Sequence, residues 1–240
     1  MSCKLSKQLK VLTSVCDNTS KMSIPSVFSA FMDLATEHGN EIGVGADKLS
    51  PKGLFWVTAK TKIKIHKLPE VLEEITAATW PEKPGRIRCN RYYTLEKDGE
   101  ILAEGKTEWA IIDINSGRPC RPSEVYPEGI IHCEDTVCEE AFSKISEDFE
   151  GCPVIDTYKV RSTDIDLGQH LNNAVYARIL FGAFSCDELS KMNINEVEIH
   201  FRNQCYEGEN IKIYCRKNES AFEIGMFKED GTVAATALIR

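Results

Sequence analysis

Ser162 to Leu180 read STDIDLGQHLNNAVYARIL, and this stretch decides how the rest of the chain is read. Asp164, Asp166, His170, Asn172 and Asn173 set polar groups directly ahead of an apolar run. That run, Val175, Tyr176, Ile179, Leu180 and Ala183, recurs at the three-and-four spacing of a helix. A polar cluster feeding a buried helix has a physical logic. Asn172 or Asn173 can cap the helix by accepting from its first N–H groups. The same N–H groups, with the helix dipole, favour an anion or a developing oxyanion at that point. An imidazole exchanges protons near neutral pH, so a His here can take part in proton transfer.

Outward from this stretch, the same order of elements occurs twice. In the first half Val11 to Asp17 reads as a short strand, Ser23 offers an N-cap and Pro25 suits a first helical turn. Ile24, Phe28, Phe31, Ala35, His38 and Ile42 then recur at helical spacing, widened by Met32 and Leu34, so the helix is apolar over much of its girth and needs enclosing. From Leu54 the period becomes two, with Lys60, Lys62 and Lys64 on one face and Ala59, Thr61, Ile63 and Ile65 on the other, which predicts a half-buried strand with a wet face. Strands follow over Glu74 to Trp80, Arg86 to Leu95 and Ile101 to Ile114, the last two joined through Asp98-Gly99. Gly117 to Pro153 is broken by prolines, is acidic from Glu124 to Glu150 and has a short amphipathic piece near Val137 to Ile145; it reads as a connector. After it come a strand at Thr157 to Arg161, a helix from Asn173 to about Leu189, and strands at Val197 to Phe201, Glu209 to Cys215, Ala221 to Phe227 and Val233 to Ile239, the last two around Asp230-Gly231. A duplicated fold accounts for this order.

Composition narrows the class. The 240 residues carry 42% hydrophobic and 28% charged residues and a net charge of -8, the profile of a globular domain and not of a nucleic-acid binder, which needs concentrated Lys and Arg. MSCKLSKQLK has no apolar stretch after its basic residues and no run approaches the ~18 apolar residues of a membrane span, so a cytoplasmic protein is expected. The ten cysteines are scattered, without CxxC spacing, which predicts reduced thiols. His132, Cys133, Cys138 and Cys152 form a loose cluster whose spacing does not suit the common zinc sites, and no metal or cofactor is expected.

The central stretch resembles the signature of the acyl-acyl carrier protein (acyl-ACP) thioesterases, roughly Asp-x-Asn-x-His-x-Asn-Asn followed by an aromatic residue on the helix. Asp166, His170, Asn172, Asn173 and Tyr176 match it. ATEHGNEIGVG, GLFWVTAKTKIKI, Trp80-Pro81 and the segment from Trp109 to Pro122 are similar to the family as well, so the resemblance covers nearly the whole chain. It implies an α+β protein of two tandem hotdog folds, each an antiparallel sheet wrapped around a long helix. The expected layout is an N-terminal hotdog over residues 1–120 that binds the acyl chain, a connector over 121–153, and a catalytic C-terminal hotdog over 154–240. The implied activity is hydrolysis of fatty acyl-ACP to free fatty acid and holo-ACP, with ACP as partner and a homodimer left open. An acyl-CoA thioesterase and a non-catalytic acyl-thioester binding module are the alternatives.

Two positions depart from the family. Gly168 stands where the pattern has a catalytic Asn, and in VEIHFRNQCYEGE the family's Glu falls on Gln204, beside Cys205. With those side chains absent, His170 backed by Asp166 becomes the expected general base, with Asn172 and Gln204 positioning water or substrate. Cys205 stays open between a nucleophile and a buried inert thiol, and Glu207 and Glu209 between a replacement carboxylate and a solvated strand face. Asp164 is expected in an exposed turn. If the departures have disabled water activation, Gly168→Asn with Gln204→Glu should raise kcat. Phe28, Phe31 and Met32 are expected to close the acyl tunnel, and Asn173 and Tyr176 to meet substrate. Arg86 and Arg88, with Lys83 and Arg91, are the expected dock for acidic ACP.

Overall fold

The Ser23 hydroxyl accepts from the Ser26 N–H at 3.3 Å, and Pro25 lies in the first turn, where a missing N–H costs no hydrogen bond. Helix α1 then runs Ile24–Glu41 and buries Ile24, Val27, Phe28, Phe31, Leu34, Ala35 and His38 along one side. The computed structural model describes residues 3–240, which divide into two compact units, 3–140 and 141–240.

Unit 1 runs β1 (Leu5–Lys10), α1, a short α2 (Ala46–Leu49), β2 (Leu54–Ile65), β3 (Glu74–Pro81), β4 (Arg88–Lys97), β5 (Glu100–Asp113) and a two-residue β6 (Pro119–Cys120). The strands are antiparallel in the order β1-β3-β4-β5-β2, with β6 on β5. The sheet packs across α1. Phe31 stacks on Tyr93 of β4 with ring centroids 4.7 Å apart, and it lies so close over Gly105 of β5 that a Cβ there would be 2.6 Å from the ring. Truncating such a buried aromatic costs about 3–5 kcal/mol, so this contact helps hold helix to sheet.

Unit 2 runs β7 (Val154–Lys159), α3 (Asn173–Gly182), α4 (Cys186–Lys191), β8 (Glu196–Phe201), β9 (Asn210–Lys217), β10 (Phe222–Lys228) and β11 (Val233–Ile239), in sheet order β8-β11-β10-β9-β7. Its helix stops earlier than the apolar spacing predicts. Ser185 accepts from the Glu188 N–H at 3.2 Å while the Glu188 carboxylate accepts from the Ser185 N–H at 2.8 Å, a reciprocal cap that starts α4 as a separate helix.

The two Asp-Gly hairpins are built differently. Asp98 and Gly99 both have positive φ, 51° and 83°, as a two-residue turn of matching twist requires, whereas at the second hairpin only Gly231 is positive and the register shifts between Met226 and Phe227.

Several expectations are corrected. The first strand is Leu5–Lys10, and the segment read as a strand from Val11 holds a 3-10 turn at Thr13–Val15 instead. The lysine face of β2 is not wet: Lys62 is 1% exposed. Residues of the acidic segment cross it, with Glu140 ion-paired to Lys64, the Glu140 carbonyl accepting from Lys106 Nζ at 2.8 Å and the Cys138 N–H donating to Glu104 at 3.3 Å. Opposite charge brings that segment to the sheet, and the amphipathic piece at Val137 to Ile145 forms no helix. Cys3 and Cys133 form a disulfide across 130 residues of sequence, against the expectation of reduced thiols. Sequence spacing carries no information about such a pairing. Trp80 helps to fix the neighbourhood, since its Nε1–H donates to the Asp135 carbonyl at 2.7 Å and Cys133 packs against Ala78, Trp80 and Tyr92.

Candidate active site

A tight hairpin leads into α3. Ser162–Asp164 form one 3-10 turn, and Ile165 and Leu171 pair as an isolated antiparallel bridge. Between them the Asp166 N–H donates to the His170 carbonyl at 3.0 Å and the Gln169 N–H to the Asp166 carbonyl at 3.0 Å. Asn172 then caps α3, its Oδ1 accepting from the Ala174 N–H at 2.9 Å, and Asn173 is the first helical residue. The Leu171 N–H donates to the Cys205 carbonyl at 2.8 Å, which lays the stretch containing Gln204 beside the hairpin.

His170 lies at the centre of this arrangement with 11% of its side chain exposed. Its Nδ1 is 3.2 Å from the Leu171 carbonyl and 3.8 Å from Asp166 Oδ1. Both neighbours are acceptors, which favours the tautomer with the proton on Nδ1. Asp166 Oδ1 also accepts from the Gly168 N–H at 2.8 Å. A Cβ at Gly168 would stand 2.8 Å from His170 Nε2 and 3.0 Å from Asp166 Oδ1. The absence of a side chain at 168 is therefore what gives the imidazole ring room to take this position.

Asp164, expected in an exposed turn, is 1% exposed. Its carboxylate accepts from Tyr158 OH at 2.7 Å and the Arg161 N–H at 2.9 Å, and is ion-paired with Arg178 of α3. It ties strand, turn and helix together behind the site. Gln204 is exposed, its Oε1 accepting from Tyr206 OH at 3.0 Å. Cys205 is fully buried and burial pushes its thiol up, with the Tyr176 hydroxyl opposing in part. That is the reverse of what a nucleophilic thiolate needs. Tyr176 is buried against Phe201, ring centroids 5.3 Å apart, and its OH reaches the Asn203 carbonyl at 3.4 Å. Glu209 is engaged by the Tyr206 N–H and Lys228, while Glu207 is exposed.

Unit 1 repeats the hairpin without the histidine. A 3-10 turn at Thr13–Val15, a Cys16–Met22 bridge, the Asp17 N–H donating to Lys21 O at 2.8 Å and the Ser20 N–H to Asp17 O at 3.1 Å precede the Ser23 cap. Each part of the second copy stands 149 residues after its counterpart, as Asp166 does after Asp17 and β7 after β1.

A second feature of unit 1 bears on ligands. An apolar cavity of about 160 Å³ opens beside the C-terminal half of α1, walled by Gly39, Val44, Leu49, Trp56, Trp109 and Tyr126, with Arg91 among its lining. Phe28 and Phe31 are buried in the core between helix and sheet, Met32 is half-buried, and none of the three lines this cavity. The expected basic cluster separates. Lys83 and Arg86 are exposed, Arg88 pairs with Glu108, and Arg91 turns inward. The signal for that was present: Arg91 falls in period two with Cys89, Tyr93 and Leu95, all core-facing.

Residues 3–129 match the family model of the acyl-ACP thioesterase N-terminal domain, and residues 151–235 that of the C-terminal domain. The chain belongs to the acyl-ACP thioesterase family. Oleoyl-acyl carrier protein thioesterase 2, chloroplastic, of Arabidopsis thaliana is 21% identical over 204 residues, 78% of this chain and 56% of the relative. Acyl-[acyl-carrier-protein] hydrolase FATB2, chloroplastic, of Cuphea viscosissima is 22% identical over 201 residues, 76% of this chain and 48% of the relative. The chain thus spans about half the length of the curated relatives it matches. Among solved structures, an acyl-ACP thioesterase from Bacteroides thetaiotaomicron superposes with a TM-score of 0.91 at 20% identity, covering 100% of this chain and 99% of that one. A 12:0-ACP thioesterase from Umbellularia californica superposes with a TM-score of 0.88 at 17% identity, covering 100% and 97%. These similarities support an α+β protein of tandem hotdog folds, the architecture the family resemblance implied.

Proposed function

We propose that this chain hydrolyses fatty acyl-ACP thioesters to free fatty acid and holo-ACP. The observation that carries the reading is His170 at the entry to α3, its Nδ1 set 3.2 Å from the Leu171 carbonyl and 3.8 Å from Asp166 Oδ1 and its ring given room by Gly168. In the proposed step Nε2 takes a proton from water as the water oxygen bonds to the thioester carbonyl carbon. The dipole of α3 at its N-terminus stabilises the oxyanion. The C–S bond then breaks, and the departing pantetheine sulfur takes the proton back from His170. Asp166 is the positioning carboxylate, and its 3.8 Å separation from Nδ1 shortens as the imidazolium forms. Cys205 has no role as nucleophile. Unit 1 supplies the apolar site for the acyl chain, and the exposed Lys83 and Arg86 receive the acidic carrier protein.

Release of free thiol from acyl-ACP and acyl-CoA, measured side by side with wild type and His170→Ala, tests this. The expected result is turnover of acyl-ACP in preference to acyl-CoA, lost with the imidazole. Preference for acyl-CoA would move the reading to a coenzyme A thioesterase. Wild-type rates no faster than buffer on both substrates would make the chain an acyl-thioester binding module.

A further inference from the structure

Arg91 is 6% exposed inside unit 1, and its guanidinium cannot be neutralised by losing a proton. Its Nη1 donates to His38 Nδ1 at 3.0 Å and to Thr79 Oγ1 at 3.3 Å, and neither is an anion. A guanidinium only donates, so His38 Nδ1 is the acceptor and the imidazole orients the charge without cancelling it. No ion pair includes Arg91 among the described residues. The titratable neighbours do not supply an anion either. Burial raises the Cys89 thiol to about 11 and the Tyr93 phenol to about 12, and raises Tyr126 further, despite the pull of Arg91 on each. Glu82, the carboxylate that acts on Cys89, is engaged by Asn90 at 2.7 Å. A buried cation with only neutral partners is costly, and here it lines an apolar cavity.

We propose that this cavity is a binding site for a carboxylate carried on an aliphatic chain, with the carboxylate seated on Arg91 and the chain against Trp56, Trp109 and Leu49. The carboxylate completes a charge-assisted pair that the protein leaves unmade, and the apolar walls remove the methylenes from water. Two ligands offer this chemistry: a free fatty acid entering head first, and an acyl chain bearing a second carboxyl at its far end. The proposal does not depend on thioester hydrolysis, because the residues it uses all belong to unit 1 and none takes part in the proposed water attack.

Calorimetric titration of the full chain with dodecanoate, dodecanol and the monomethyl ester of dodecanedioic acid, each below its aggregation limit, tests it. Wild type should bind at least one of the two carboxylates about tenfold or more tightly than the alcohol, the scale of one charged hydrogen bond. Arg91→Met, which removes a buried charge at similar length, should abolish that preference, and Arg91→Lys should retain part of it. Gly39→Leu provides a variant independent of the charge: a Cβ at Gly39 meets nothing within 4 Å, so the longer side chain should fill the cavity and weaken all three ligands. Tight dodecanoate alone, or equal binding of both carboxylates, identifies the free acid as sufficient. Binding of the half-ester alone identifies the chain with a far carboxyl. Equal affinity of wild type for dodecanoate, half-ester and dodecanol, no binding of any of them, a carboxylate preference that survives in Arg91→Met, or binding undiminished in Gly39→Leu overturns the proposal.

Discussion

The hairpin from Asp17 to Met22 in unit 1 and the one from Asp166 to Leu171 in unit 2 share their backbone bonds, their bridge and the left-handed residue before the last turn, Ser20 at 63° and Gln169 at 60°. They differ in what fills the loop. In the first, Thr19 closes on Asp17 Oδ1 with both its N–H, at 2.8 Å, and its hydroxyl, at 2.6 Å. In the second, Gly168 offers the N–H alone, and the space that the threonine side chain takes in the first copy lies against the His170 ring. The difference teaches that the glycine is a condition for the imidazole to sit where it does. A departure from the family pattern that reads as a lost side chain reads in three dimensions as room for another.

The comparison breaks most readily at the histidine. His170→Ala should lower kcat for acyl-ACP on the order of 10²-fold or more, the usual scale of a general base, while Lys21→Ala at the matching position of unit 1 leaves the rate unchanged. A normal rate in His170→Ala would sink the assignment. Next comes Gly168→Thr, which writes the first hairpin's residue into the second. Displacing the ring by even ~1 Å should cost up to roughly 10²-fold in kcat, with little change in KM or in melting temperature. Gly168→Asn is expected to fall in the same direction, alone or with Gln204→Glu. A gain in kcat from the double substitution would show instead that the family's arrangement can be rebuilt here.

Asp164 sharpens the comparison on stability. Its counterpart in unit 1 is the uncharged Val15. Asp164→Ala strands Tyr158 OH and the Arg161 N–H, at about 2–4 kcal/mol, or roughly 5–15 °C in melting temperature for a chain of this size. Arg178 is 59% exposed and can turn to water, so its loss adds little. A melting curve within error of wild type would contradict the role given to this carboxylate.

A smaller effect is expected at Cys205. In unit 1 the carbonyl that receives the Met22 N–H belongs to Pro69, and in unit 2 the carbonyl that receives the Leu171 N–H belongs to Cys205, so backbone and not sulfur is common to the two. Cys205→Ser should therefore leave kcat unchanged, and an alkylating reagent near pH 8 should label exposed Cys186 well before Cys205. The least effect concerns the carrier dock: Arg86→Glu should raise KM for acyl-ACP several-fold at low salt, and Arg88→Glu less, because Glu108 already engages that arginine.

Much of this was legible in the residues because the forces involved are local. Ser23 and Asn172 announce the caps, period two marks β2, and Asp98-Gly99 names its hairpin. The break at Ser185 could have been read as well, since Ser and Glu stand at the spacing of a reciprocal cap. What stayed hidden was set by distant partners. Lys62 follows the pattern of a solvated face until a segment much further along the chain covers it, and Asp164 lacks any local sign that Tyr158 and Arg178 will enclose it. The candidate site was legible as a list of residues, whereas which nitrogen of His170 faces the Leu171 carbonyl and which faces Gly168 required the folded positions.

The bond between Cys3 and Cys133 makes a closed covalent circuit that takes in every strand of unit 1. On a ribosome the circuit cannot be completed until residue 133 has emerged, by which time β1 to β6 are all available to pair. The cross-link can therefore close only after all six strands have been made. Once it is made, a protease that cuts one loop inside the circuit opens a ring without freeing a piece, so the nicked chain migrates whole until a reductant is added.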